Sequence, residues 1–160
     1  MPSDTVADPV YLVKVWDVFK KNRLEAIVVG LTGAALHGAP VTTIDLDFLA
    51  RDTLRNREKI KAVAKELKLV PMQPFMPVSS MFRLVGGPVQ VDILFAISGS
   101  SFNRERASAK EIVVLGRNFL VSSLENIIAS KKKAGRAKDK AVLPVLEETR
   151  RVLKAIEENT

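Results

Sequence analysis

With 160 residues, 47% of them hydrophobic, the chain carries enough apolar side chain for the core of one domain. It has no cysteine, which excludes a disulfide framework and a thiolate metal centre, and no apolar run approaches the roughly 18 residues that span a bilayer. The net charge of +7, from 25 Lys and Arg against 18 Asp and Glu, suits a polyanion or a nucleoside triphosphate as ligand, and equally a solvated lysine-rich surface.

In chain order, Asp8-Pro9 marks a helix start, because proline fits the first helical position. Val10, Leu12, Val13, Trp16 and Phe19 then recur at helical spacing to about Asn22. "EAIVVG" reads as a short buried strand ending at Gly30, and "LTGAALHG" as a short helix closed by Gly38-Ala39-Pro40. "TIDLDFLA" alternates and reads as a strand. From Arg55 to Leu67 an amphipathic helix sets Ile60, Val63, Ala64 and Leu67 on one side. "PMQPFMPVSS" is proline-rich and reads as a loop. "MFRLVG" and "VQVDILFAI" bracket Gly86-Gly87-Pro88 as a hairpin, and "EIVVLGRNFLVS" predicts a second one turning at Gly116-Arg117. Ser122 to Lys133 is a predicted helix, with Ser122 as cap and Glu125 completing a capping box. A last helix covers about Ala137 to Glu158, with Pro144 either kinking it or marking its first turn.

This order is not the strict strand–helix alternation of a doubly wound sheet. It predicts an α+β fold, a mixed sheet flanked by helices, in a single domain over 1–160. About 1–121 form the α/β core and 122–160 the C-terminal helices. The N-terminus lacks a basic-then-apolar leader pattern, so the expectation is a cytoplasmic location and no membrane partner.

Asp45 and Asp47 share a face of their strand, with Cα atoms ~7 Å apart. Two carboxylates that close repel, and burying an unpaired charge is costly, so a positive partner belongs between them. A lysine, an arginine or a divalent cation would serve. Asp92 is the lone charge in "VQVDILFAI". Three acids on neighbouring strands could hold one or two metal ions for phosphoryl transfer. If they converge there, their strands must be neighbours in one sheet. "SKKKAGRAKDK", from Ser130 to Lys140, is a dense basic block with a single acid, which reads as a path for an acidic substrate or as a solvated helix end.

A strand ending in Gly30, a short helix with His37-Gly38, then Pro40, Thr43 and the Asp45-x-Asp47 pair resemble the DNA polymerase β-like nucleotidyltransferase superfamily. Asp92 on a later strand and Arg136, Lys138 and Asp139 near the C-terminus extend the likeness from about Glu25 to Glu147. It is greatest to small bacterial members related to abortive-infection and toxin–antitoxin nucleotidyltransferases. The resemblance implies a transferase that moves a nucleotidyl group from a nucleoside triphosphate to a hydroxyl. Asp45, Asp47 and Asp92 would be the catalytic and metal-binding residues, with Mg²⁺ or Mn²⁺ as cofactor. Gly30, Thr32, Gly33, Thr43, Arg136 and Lys138 would bind the nucleotide. RNA, a protein or a small molecule would be the acceptor, and a cognate protein a further partner.

Two positions depart from the family pattern. Leu31 stands where glycine or serine follows the first glycine, and Val41 stands where arginine is usual. Leu31 is expected to turn into the core; projecting into the cleft, it would occupy the phosphate site. The alternative reading is therefore an inactive fold member, kept as a nucleotide- or nucleic-acid-binding module or as a protein partner. His37 is expected to hold the turn after its helix by bonding to backbone, and Trp16, Phe19, Phe48, Phe95 and Phe119 to be core.

Overall fold

The computed structural model of the chain describes residues 9–74 and 80–160. Asp8, and the 75–79 part of the proline-rich loop, lie outside the described residues. Helix α1 (Pro9–Lys21) leads into β1 (Ile27–Val28), α2 (Gly30–Leu36), β2 (Asp45–Leu49) and α3 (Leu54–Leu67). Strands β3 (Val70–Met72), β4 (Met81–Val85) and β5 (Gln90–Leu94) follow, then α4 (Phe102–Ser108), β6 (Lys110–Val114), β7 (Arg117–Val121), α5 (Leu124–Ala134) and α6 (Ala137–Glu158). The fold is α+β: one seven-stranded mixed sheet, in the order β3-β4-β5-β2-β1-β7-β6, flanked by helices. Among the described residues no helix is long and apolar enough to cross a membrane.

The three strands that the aspartates require to be neighbours are adjacent, in the order β5-β2-β1. β2 pairs in parallel with β5, setting Asp45 beside Gln90 and Asp47 beside Asp92, and Phe48 beside Ile93. Alternation then gives the sheet two different faces. Leu46, Phe48, Val91, Ile93, Phe82 and Leu84 enter the main core. There Trp16 of α1 packs against Phe48 and Phe119, with ring centroids 6.3 and 4.7 Å apart, and its Nε1 donates to the Asn118 carbonyl. The opposite face carries the acids at one end. At the other, Ile27, Val29 and Leu49 pack with Phe102 of α4.

Several elements differ from the sequence expectation. β3 occupies the start of the presumed loop, with Pro71 paired to Leu84. It is an edge strand, where a residue without an N–H is tolerated. α4 was not anticipated; Ser101 caps it by accepting from the Arg104 N–H. The second hairpin turns one residue earlier than predicted, at Leu115-Gly116, both with positive φ. That is the geometry of a tight two-residue turn between Val114 and Arg117. The α5 cap is Ser123, not Ser122. Pro144 sits well inside α6 rather than in its first turn, so the Lys140 carbonyl lacks its helical donor.

Candidate active site

β1 ends at Val28, so β2 has no strand partner beside Asp45 on that side. The chain fills the gap with Thr32. Its hydroxyl donates to the Asp45 carbonyl at 3.0 Å and accepts from the Asp47 N–H at 3.1 Å. Thr43 adds a second hydroxyl to the same carbonyl at 2.6 Å. These bonds fix the backbone under both carboxylates while the side chains stay free for other work.

Gly30 makes the turn from β1 into α2 with φ +62°. A Cβ there would lie 2.9 Å from Asp47 Oδ2. Glycine is thus required twice, by the left-handed backbone and by the close approach to the carboxylate. Gly30→Ala should cost about 1–3 kcal/mol of strain and displace Asp47. Gly38→Ala, at φ +101° with nothing within 4 Å of the new methyl, carries strain alone. Urea unfolding of the two variants checks this: Gly30→Ala should be the less stable.

The aspartates stand at the floor of a cleft of about 680 Å³ between the sheet and the α5–α6 junction. Across the strands, Asp47, Asp92 and Arg83 of β4 are lateral neighbours. Arg83 Nε donates to Asp92 Oδ1 at 3.0 Å, and the Gln90 amide donates to both Asp92 oxygens at 3.3 and 3.2 Å. Among the described residues Asp47 has no such partner. Burial, then the Asp92 charge, then that of Asp45 push its pKa up to about 7. Asp45 is raised also, by burial and by Asp92, with Arg83 and Lys138 opposing.

Among the described residues no three His, Cys, Asp or Glu side chains are grouped to hold a metal ion. Asp92 is engaged by Arg83 and Gln90, so the expected trio is not assembled as a ligand set. Asp45 and Asp47 remain a fitting donor pair: two charge-frustrated carboxylates of the hard-oxygen type that a divalent cation prefers.

The basic wall comes from the C-terminal helices. Arg136 precedes α6, and its backbone N–H and guanidinium Nε donate to Asp139 Oδ2 at 3.1 and 2.7 Å. Lys131 of α5 reaches the same carboxyl group at 3.4 Å. Asp139 is fully buried, and its pKa is held at about 2, chiefly by the Arg136 hydrogen bond. Arg136, Lys138 and Lys131 line the cleft. Of the two readings of the basic block, Lys131 fits the cleft wall, largely buried against Asp139, whereas Lys132 forms an exposed pair with Glu147.

Of the expected nucleotide-binding set, Gly30, Thr43, Arg136 and Lys138 line this cleft. Thr32 and Gly33 are not among its lining residues and serve the packing around it. Thr32 is 0% exposed with its hydroxyl spent on β2. A Cβ on Gly33 would lie 3.1 Å from Ile127, so it permits α2 to pack on α5. Leu31 is half-buried, both packed on the core and lining the cleft. Val41, where the family pattern has arginine, is a core residue. His37 Nε2 donates to the Ser122 carbonyl at 2.8 Å, tying the end of α2 to the β7–α5 junction. Sequence reasoning missed Arg83, Gln90, Glu105 and Asn126. Only Arg83 left a visible trace, as the charge interrupting "MFRLV".

No family model matches the chain, and no curated protein matches its sequence. Solved structures do resemble it. The antibiotic-resistance factor ANT(2'')-Ia is 15% identical, over 94% of this chain and 91% of its own, with a TM-score of 0.65. A Thermotoga maritima protein described as a nucleotidyltransferase is 20% identical, over 92% and 91%, at 0.64. The lincosamide antibiotic adenylyltransferase LnuA, in a lincomycin-bound structure, is 13% identical, over 86% and 95%, at 0.63. At these identities the likeness is one of fold: the chain has the α+β fold of these nucleotidyltransferases.

Proposed function

We propose that the protein is a nucleotidyltransferase that moves an NMP group from a nucleoside triphosphate to an acceptor hydroxyl. The observation that carries this reading is the lateral row Asp47–Asp92–Arg83, on the floor of a cleft whose far wall is basic. Asp45 and Asp47 would hold Mg²⁺ or Mn²⁺, which when bound neutralises phosphate charge and leaves the leaving pyrophosphate less basic. Arg136, Lys138 and Lys131 face the cleft and would orient the triphosphate. Asp92, fixed by Arg83 and Gln90, would accept the proton of the acceptor hydroxyl. The new bond joins acceptor oxygen to the α-phosphorus; the α–β phosphoanhydride bond breaks and pyrophosphate departs.

An acceptor of small-molecule type has support from the neighbours: ANT(2'')-Ia is known in complex with adenylyl-2''-tobramycin, and LnuA with lincomycin. RNA and protein acceptors, a cognate partner and kinship to the abortive-infection and toxin–antitoxin branch belong to the proposal on the sequence resemblance alone.

The test is incubation of the protein with each α-labelled NTP, Mg²⁺, and in turn an aminoglycoside, a lincosamide, total RNA and a cell lysate. Label should move to an acceptor in at least one arm. If no triphosphate binds by calorimetry and no label moves, the reading fails. Arg136→Ala with Lys138→Ala should weaken triphosphate binding about tenfold, and the loss should shrink as salt is raised, because screening removes what the mutations remove. Equal affinity of variant and wild type at low salt would return both residues to solvated surface.

A further inference from the structure

Glu105 has no part in the chemistry above, yet it is a fully buried carboxyl group in the wall of the same cleft. It accepts from Ser100 Oγ at 2.6 Å, from Asn126 Nδ2 at 2.9 Å and from Ser122 Oγ. A group that accepts from three donors decides which end of the Asn126 amide faces it: the NH₂ end. The same Nδ2 donates to Ser108 Oγ at 2.7 Å. The Asn126 backbone N–H is fixed as well, donating to Ser123 Oγ at 3.1 Å in the first turn of α5. Both amide hydrogens are therefore spent within the protein, and Oδ1 has no hydrogen-bond partner among the described residues.

Asn126 lines the cleft. The neighbouring wall includes Val29, Leu94 and Ile97, which pack around Phe102 one turn before Glu105 on α4. This part of the wall is apolar, whereas Lys131, Arg136 and Lys138 stand around the α5–α6 junction. Phosphate charge is drawn to that junction, and a flat apolar group with polar edges suits the other side. We infer that the apolar wall takes the nucleobase and that Asn126 is a specificity-determining residue. Its locked amide oxygen favours a base with an exocyclic amino group, and Glu105 is the positioning residue that holds the lock. A base with a carbonyl oxygen at that place meets the amide oxygen face on and gains no hydrogen bond.

This inference rests on the nucleotide reading. Its test is calorimetric titration, with Mg²⁺, of pairs that contrast an exocyclic amine with its absence: ATP and purine riboside triphosphate, GTP and ITP, CTP and UTP. In wild type at least one amino-bearing member should bind about fivefold tighter than its partner, the size of one neutral hydrogen bond. Asn126→Ala should bring that ratio close to one by weakening only the amino-bearing ligand. Glu105→Gln should reduce it too, because a glutamine can turn its own amide and free that of Asn126. A ratio is insensitive to a general loss of stability, so a merely structural role for either residue leaves it unmoved. Tight binding of both members of every pair, or a ratio unchanged in Asn126→Ala, overturns the specificity role and leaves the nucleotide reading standing. Binding of none of the six overturns both.

Discussion

Asp47→Asn should make the metal-free protein more stable and the transferase inactive. The two effects have one cause. Asp47 is pressed between Asp92 and Asp45 on a floor that burial has largely dried. Its pKa in the folded chain is about 7, against 3.8 for an ordinary aspartate. For an acid with a raised folded pKa, the unfolded chain releases its proton first. Stability is therefore undiminished below about pH 4, falls as pH rises to about 7, and is flat above. The gap of about 3 units is worth at most about 4 kcal/mol, less the screening that partial exposure of this residue allows. Asparagine removes that loss, so the variant should exceed wild type in urea midpoint at pH 8 and converge with it near pH 4. Mg²⁺ should raise the melting temperature of wild type by binding the folded state, and barely that of the variant. Nucleotidyl transfer should fall by at least about two orders of magnitude, as loss of a charge-stabilising group in a preorganised site does. Equal pH profiles for the two proteins would show that Asp47 is not charge-frustrated, and an undiminished Mg²⁺ shift in the variant would place the metal elsewhere.

The floor of the cleft was open to sequence reasoning because it is built from strand alternation. Asp45 and Asp47 share a face by period, and Asp92 stood out as the lone charge in an apolar run. The partner of Asp92 was hidden because Arg83 reaches it only through the register of β4 on β5. That register depends on how many residues Gly86 to Val89 spend in the turn, and composition does not fix it. The backbone role of Thr32 was hidden for a similar reason. Threonine beside a phosphate site and threonine replacing a missing ladder partner look alike until the two-residue length of β1 is known. Glu105 was wholly invisible. It lies in "FNRERAS", whose charges read as solvent-facing, and its burial follows from three donors contributed by the β7–α5 junction, α5 and the loop before α4. The helices with strong periodicity, α1 and α3, kept most of their expected faces: Leu12, Trp16 and Phe19 in one, and Ile60, Val63, Ala64 and Leu67 in the other, are buried, whereas Val10 in the first turn of α1 is exposed and Val13 half-buried.

The second large effect concerns the opposite wall. Asp139→Asn should destabilise the protein by about 2–3 kcal/mol near neutral pH and loosen the start of α6. The wild-type carboxylate is 0% exposed. It takes two hydrogen bonds from Arg136 on Oδ2, a third on Oδ1, and Lys131 beside it. Its folded pKa of about 2 lies below the ordinary 3.8. For an acid with a lowered folded pKa the sign is opposite to that of Asp47: the stabilisation is complete above about pH 4 and is lost as pH falls toward 2. The gap of nearly 2 units is worth about 2 kcal/mol. Asparagine forfeits it, and also leaves the half-buried Lys131 without its counter-charge, which adds to the cost. The wall that carries Arg136 and Lys138 into the cleft then loses its anchor, so KM for triphosphate should rise more than kcat falls. Urea unfolding at pH 7 and at pH 2 reads the stability effect: the difference between variant and wild type should be largest at pH 7 and nearly gone at pH 2. A difference that persists undiminished into acid would mean that packing, not charge, holds the α5–α6 junction.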